Sequence, residues 1–128
     1  MKPIPFFVLL IVISSILLAA CQSGPGPEAA IEGYILALVD KDEDSLISLS
    51  CNAWEEGART DARAYDGVET RLEGLECEQS SASDGEAIVS CTGTIIGTYN
   101  GEDRPIDLAA RDFLAVEEGG EWRMCGYR

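Results

Sequence analysis

Apolar residues between positions 27 and 65 recur at the spacing of helices. After Pro27 and Glu28, which suit a helix first turn, one apolar face is formed by Ile31, Tyr34, Ile35, Leu38 and Val39. The acidic run DKDED follows, and the next apolar cluster predicts a second, short helix capped by Asp44. A third helical stripe consists of Trp54, Ala58, Ala62 and Tyr65. Gly57 weakens that last prediction, so the sequence indicates two to three helices.

From Gly67 onward the pattern changes to alternation between apolar and polar residues. Four strands are predicted: residues 71–79, AIVSCTGTIIGTY, PIDLAARDFLAVEE and the final EWRMCGY. The segments between them, SSASDGE, Asn100-Gly101 and EGG, have the composition of turns, and Asn-Gly is the strongest short hairpin signal. The sequence therefore predicts an α+β fold, with the helices packed on a four-stranded antiparallel sheet.

Four of the five cysteines lie within this region, and their even number favours two disulfides in an oxidising compartment. Folding the first hairpin about Asp84 places Cys77 opposite Cys91, close enough for a bridge. Cys51 would then pair with Cys125, although three connectivities are possible. A zinc site is the competing interpretation, but the sequence has no histidine and no CxxC pair.

Residues 1–20 differ in composition from everything that follows. One charge, Lys2, precedes an apolar run that ends in two alanines, the layout of a secretory signal peptide. A transmembrane helix is the alternative, but it requires about 20 apolar residues and usually a basic flank. Leu18-Ala19-Ala20-Cys21 resembles the lipobox of bacterial lipoproteins. The resemblance implies removal of residues 1–20 and attachment of lipid, with acyl chains such as palmitate, to Cys21.

The predicted organisation is a signal peptide at 1–20, a lipidated cysteine with a short tether at 21–27, and one domain at 28–128. Removal of the signal takes away one of nine Lys and Arg, which leaves eight against 23 Asp and Glu, a net charge of −15. Such acidity excludes nucleic acid as a partner, because no basic patch could neutralise phosphates. The protein is expected to be exported and anchored to the cell membrane. In a host with two membranes, Gln22 would by resemblance direct it to the outer membrane.

Two segments carry a second resemblance. The stretch ALVDKDEDSLISLS after the first helix, and the closing FLAVEEGGEWRMCGY, are similar to parts of nuclear transport factor two-like domains, also called SnoaL-like or cystatin-like α+β domains. The resemblance implies a curved sheet wrapped around the helices, forming a cone with a pocket at its open end.

Few residues of the sequence suggest chemistry. The absence of histidine removes the commonest general base and metal ligand, and we expect neither a cofactor nor a metal. The acidic run fails as a calcium loop, because Ser45 and Cys51 replace the required glycine and glutamate. Some enzymes of the implied fold use a pocket aspartate, and alternation places Asp112 on the buried face.

Possible partners of Asp112 are Tyr34, Arg111 and Arg123. A strand slip near residues 111–113 would instead send Asp112 outward, and a structural ion pair is a further alternative. The aromatic residues that could line a pocket or pack in the core are Tyr34, Trp54, Tyr65 and Trp122.

The sequence thus favours a membrane-anchored cell-envelope lipoprotein whose domain binds a small ligand or a protein partner without catalysis. One alternative is a small-molecule isomerase or hydrolase that uses the pocket aspartate. The other is a structural accessory subunit of an envelope complex.

Overall fold

The computed structural model describes residues 24–128. The predicted signal peptide, the lipid-attachment residue Cys21 and the first part of the tether lie outside the described residues. No helix within residues 24–128 is long and apolar enough to cross a membrane.

Three α-helices and a short 3-10 helix precede the sheet. They are α1 (Pro27–Val39), α2 (Glu43–Ser48), the 3-10 helix Asn52–Trp54 and α3 (Glu55–Ala64). The predicted cap of α2 is wrong: Asp42, not Asp44, caps this helix. The Asp42 carboxylate accepts the backbone N–H of Ser45 at 3.1 Å, and the Ser45 hydroxyl donates to it at 2.6 Å. The cap satisfies backbone donors that the first turn leaves free.

Five antiparallel strands form one sheet. They are β1 (Glu69–Ser83), β2 (Glu86–Tyr99), β3 (Glu102–Asp107), β4 (Phe113–Glu118) and β5 (Glu121–Tyr127). The long strand β2 pairs with β1 along one edge. Along its other edge β2 pairs first with β4 and then, nearer its end, with β3, while β5 lies beyond β4. The α+β fold class is confirmed, with one strand more than the sequence predicted.

The additional strand arises because residues 102–118 do not form one continuous strand. A 3-10 helix at Leu108–Ala110 separates β3 from β4, and its start is capped by Asp107, which accepts the N–H of Ala109 at 2.9 Å. The interruption shifts the alternation of β4 by one position. Phe113 and Ala115 face the core, whereas the alternation in the sequence had assigned the opposite parity, that of Asp112, to that face.

Both expected disulfide pairs are present. Cys77 and Cys91 are directly opposite each other on β1 and β2, with their Cα atoms 4.1 Å apart. Cys51 and Cys125 join the segment after α2 to β5, with a Cα separation of 5.3 Å. Backbone bonds reinforce this junction, because the N–H of Cys51 donates to the carbonyl of Met124 at 2.8 Å. The second disulfide therefore links the helical layer to the sheet.

The core lies between α1 and the inner face of the sheet. The largest fully buried side chains include Ile31, Tyr34 and Ile35 of α1, Leu46 of α2, and Val89, Cys91, Ile95 and Met124 of the strands. A bulge in β1 between Glu73 and Glu76 bends the sheet opposite Gly93 of β2. This bend curves the sheet around α1, the arrangement expected of a cone.

Candidate functional site

A cluster of polar side chains surrounds the half-buried carboxylate of Asp61. The hydroxyls of Tyr34 and Tyr127 both donate to the same oxygen, Oδ2, at 2.7 and 2.6 Å. The indole N–H of Trp54 donates to the Tyr34 oxygen at 3.2 Å. We call Tyr34, Trp54, Asp61 and Tyr127 the Asp61 cluster. It combines residues of α1, the 3-10 helix, α3 and the last strand.

Local sequence explains how these side chains meet. Tyr34 lies in the middle of α1 and is completely buried, so its hydroxyl must find a partner within the protein. Trp54 packs flat over Gly57, where any Cβ atom would come within 2.6 Å of the indole ring. The glycine that weakened the helix prediction is therefore required by the packing of Trp54. Trp54 in turn meets Tyr127 edge to face, with ring centroids 5.4 Å apart.

The electrostatics of the cluster keep its tyrosines neutral. Burial raises the pKa of Tyr34 and of Tyr127 well above the ordinary value, and the hydrogen bond to the Asp61 carboxylate raises both pKa values further. Burial also raises the pKa of Tyr65, which lies nearby. The guanidinium of Arg111 stacks over the Tyr127 ring at 3.4 Å, a cation–π contact. The tyrosines thus act as hydrogen-bond donors that fix Asp61.

The interior of the cone is almost filled. The remaining cavity has a volume of about 40 Å³ and is bordered by residues that include Tyr65, Leu108, Arg111, Phe113 and Tyr127. That volume can hold water but is far below the roughly 300 to 1,000 Å³ of typical ligand pockets. Packed side chains therefore account for most of the cone's interior.

The structure places Asp112, the predicted pocket aspartate, on the face of the sheet away from the core. Asp112 directly precedes Phe113, which pairs with Val89 and faces the core, so Asp112 belongs to the outer face. There it accepts a hydrogen bond of 2.8 Å from the hydroxyl of Ser90. The 3-10 helix before β4 produces the outward orientation that the sequence left open as an alternative.

The residues that the sequence suggested as partners of Asp112 make their contacts elsewhere. Arg123 pairs with Glu121 at 2.8 Å and donates to the carbonyl of Ser48. Of the four aromatic residues considered for a pocket, Tyr34 and Trp54 meet in the Asp61 cluster, while Tyr65 and Trp122 pack at the margin of the core.

Sequence reasoning missed Asp61, although a signal existed. Trp54, Ala58, Asp61 and Tyr65 follow the i, i+4, i+7, i+11 spacing of one helical face. The predicted stripe contained Ala62 in place of Asp61, because alanine is apolar. A carboxylate on the core-facing side of a helix requires hydrogen-bond donors from the rest of the protein, and the hydroxyls of Tyr34 and Tyr127 are those donors.

A groove adjoins the small cavity and shares Tyr65 and Ile106 with it. It has a volume of about 310 Å³ and is lined by Ala64, Tyr65, Val68, Gly97, Tyr99, Arg104 and Ile106. We call it the mouth groove. The large hydrophobic side chains most exposed within residues 24–128 are Leu36, Tyr99 and Ile106, at 51, 55 and 43 %. Two of these three line the mouth groove.

A second depression, of about 450 Å³, runs beside the Cys77–Cys91 disulfide and carries Glu32, Glu76 and Glu78. Glu32 has a structural role, because it accepts the N–H of Cys77 at 3.1 Å. No group of three or more Cys, Asp and Glu residues in the described part of the chain is arranged to hold a metal ion.

Similar folds occur among solved structures. A SEC-C motif-containing protein from Rhodopseudomonas palustris has a TM-score of 0.55 at 15 % identity, over 87 % of this chain and 84 % of that one. The protein Aln2 from a Streptomyces species has a TM-score of 0.54 at 15 % identity, over 99 % and 91 %. An NTF2-like protein with a cystatin-like fold from Novosphingobium aromaticivorans has a TM-score of 0.51 at 12 % identity, over 97 % and 86 %.

These identities show the fold alone. The domain shares the α+β fold of NTF2-like, cystatin-like proteins, as the sequence resemblance implied. No protein-family model matches the chain, and no curated protein matches it.

Proposed function

We propose that the protein is an exported lipoprotein, anchored to a membrane by lipid on Cys21, whose domain binds a partner protein through the mouth groove. The observation that carries the binding role is the combination of a filled cone with exposed apolar side chains at its mouth. The anchor rests on the lipobox-like sequence, and two disulfides are compatible with an exported protein.

The filled cone supports binding over catalysis. Asp61 is a half-buried carboxylate, and both tyrosine hydroxyls donate to one of its oxygens. The cavity of about 40 Å³ does not have Asp61 among its lining residues, and it is too small for a typical small-molecule substrate. Asp112, the residue expected to catalyse an isomerase or hydrolase reaction, lies on the opposite face. Neither carboxylate supports the enzymatic alternative.

The mouth groove has the chemistry of a protein-binding surface. Tyrosine and arginine are enriched in interfaces, and Tyr99 and Arg104 both line the groove. An exposed Ile106 beside them adds apolar area that would gain free energy on burial. A shallow surface of this kind suits a protein better than a small ligand, which requires deeper enclosure.

Photo-crosslinking in the native host tests the binding role. A photoreactive phenylalanine analogue is placed at Tyr99 or, as a matched control of similar exposure, at Leu36 of α1. We expect a discrete adduct from position 99, lost in an Ile106→Ser background and absent from position 36. Equal adducts from both positions, or none from position 99, would contradict the mouth groove as the binding surface. An adduct in fixed ratio to the protein would specify an accessory subunit of a complex.

The anchor is tested separately with Cys21→Ser. The wild-type protein should fractionate with membranes and incorporate labelled palmitate, whereas Cys21→Ser should do neither. Identical fractionation and labelling of the two proteins would refute the anchor, whatever the crosslinking shows.

A further inference from the structure

A third groove lies where the described chain begins. It has a volume of about 350 Å³ and is lined by Gly24, Pro25, Ala29, Ala30, Leu49, Gly120, Glu121 and Trp122. We call it the anchor-end groove. It is formed by the start of α1, the end of α2 and the turn between β4 and β5. Trp122 is half-buried there and provides the largest aromatic surface of the groove.

The sequence places the proposed lipid next to this groove. Only two residues, Gln22 and Ser23, separate Cys21 from Gly24, a reach of at most about 11 Å even in an extended chain. Gly24 itself lines the groove. A lipid on Cys21 that enters a bilayer therefore brings the anchor-end groove to the membrane surface.

The groove carries little net charge, which suits contact with a membrane surface, although the domain as a whole is strongly acidic. Its one carboxylate, Glu121, forms an ion pair with Arg123 at 2.8 Å. The other lining residues are apolar or glycine, apart from the indole N–H of Trp122. Tryptophan is the side chain most typical of the membrane interface, because its ring is apolar and its N–H is polar.

The opposite end of α1 leads to the mouth groove. The Thr70 hydroxyl donates to the carbonyl of Val39 at 2.6 Å, and Lys41 donates to the carbonyl of Val68. Val68 lines the mouth groove. Since α1 has 13 residues, these contacts lie about 18 Å from its start at a rise of 1.5 Å per residue. The two grooves are therefore at opposite ends of the helix.

We propose that the anchor-end groove rests on the phospholipid surface, with Trp122 in the headgroup region, so that the mouth groove faces away from the membrane. The contact is apolar and aromatic, and it requires no anionic lipid. This orientation rests on the lipid anchor of the proposed function. It adds the surface that contacts the bilayer and the direction in which the partner-binding end points.

Tryptophan quenching tests the orientation. The acylated full-length protein is reconstituted into phosphatidylcholine vesicles that contain a phospholipid brominated near the headgroup end of its acyl chains. The wild type is compared with Trp122→Phe, which leaves the Asp61 cluster and its Trp54 intact. We expect the brominated lipid to remove most of the emission that Trp122 contributes, and to leave the emission of Trp122→Phe almost unchanged.

Flotation with the vesicles separates this proposal from the anchor. If the wild type floats with vesicles but Trp122 is not quenched, the anchor stands and the orientation is overturned. If the wild type does not float, the anchor itself fails, and the orientation fails with it. A blue shift of Trp122 emission on acylation in vesicle-free solution, without later quenching by brominated phospholipid, would assign the groove to the protein's own acyl chain and overturn the bilayer contact.

Discussion

The hydroxyl of Tyr127 donates a hydrogen bond of 2.6 Å to Asp61, a residue 66 positions earlier in the chain. This contact joins the last strand to the third helix. Tyr34 of α1 donates to the same carboxylate oxygen, so three elements depend on one side chain. The Asp61 cluster therefore ties α1, α3 and β5 together.

Removal of the carboxylate should destabilise the domain. In Asp61→Ala the two tyrosine hydroxyls lose their acceptor, and we expect the free energy of unfolding to fall by about 2 to 4 kcal/mol. Asp61→Asn, which keeps an acceptor oxygen, should lose less. Urea unfolding measures both, with exposed Asp66→Ala as the control on the neighbouring segment. If Asp61→Ala is no less stable than Asp66→Ala, the cluster does not stabilise the fold.

High pH should destabilise the protein through the same tyrosines. Their pKa values in the folded state are raised above the ordinary 10.0, so the unfolded chain loses these protons first. The stability they contribute is fully present below pH 10.0 and decreases as the pH rises above it. The free energy of unfolding, measured by urea titration on both sides of pH 10.0, should decrease less steeply in Tyr127→Phe. Equal slopes for the two proteins would show that Tyr127 ionises as freely in the folded state as in the unfolded one.

The two disulfides should differ in their contribution to stability. The Cys51–Cys125 bridge spans 74 positions and the Cys77–Cys91 bridge spans 14. On the chain-entropy model, loss of the longer loop costs about 4 to 5 kcal/mol and loss of the shorter about 3 kcal/mol. Urea unfolding of Cys51→Ala/Cys125→Ala and Cys77→Ala/Cys91→Ala tests the order. A less stable Cys77→Ala/Cys91→Ala protein would reverse it.

Gly93 should be irreplaceable at the bulge that bends the sheet. Its φ is +118°, and a Cβ atom there would lie 2.8 Å from the carbonyl oxygens of Glu73 and Gly74. Gly93→Ala should therefore lower the free energy of unfolding by several kcal/mol, through backbone strain together with a clash that the sheet cannot relieve. Gly74→Ala is the matched control, because its φ is also positive at +63° but no atom lies within 4 Å of the added Cβ. It should lose only about 1 kcal/mol. Equal losses in thermal or urea unfolding would show that the close approach does not matter.

The features that were predicted correctly depend on short-range patterns of apolar, polar and turn residues. The hairpin register that pairs Cys77 with Cys91 follows from a turn of characteristic composition between two alternating strands. The hairpin between β2 and β3 at Asn100-Gly101 follows in the same way. The mouth groove could not be predicted, because it brings the end of α3 together with the β2–β3 hairpin, which lies more than 30 residues later in the chain.

Asp61 and Asp112 show where pattern reasoning was insufficient. Alternation assigned Asp112 to the core, but a single 3-10 turn at Leu108–Ala110 reversed the parity of the strand that follows. This turn carries little sequence signal, because Leu108 and Ala110 preserve the apolar alternation of a strand. Asp61 was overlooked because its burial becomes favourable only when two distant tyrosines donate to it.

Lipid attachment at Cys21 is tested most directly by the intact mass of the protein, extracted from its native membrane in mild detergent. We predict a chain that begins at Cys21, carries acyl chains on that residue and lacks four hydrogens because of its two disulfides. A mass that retains residues 1–20, or one that begins at Cys21 without lipid, would contradict anchoring of this domain to the membrane through Cys21.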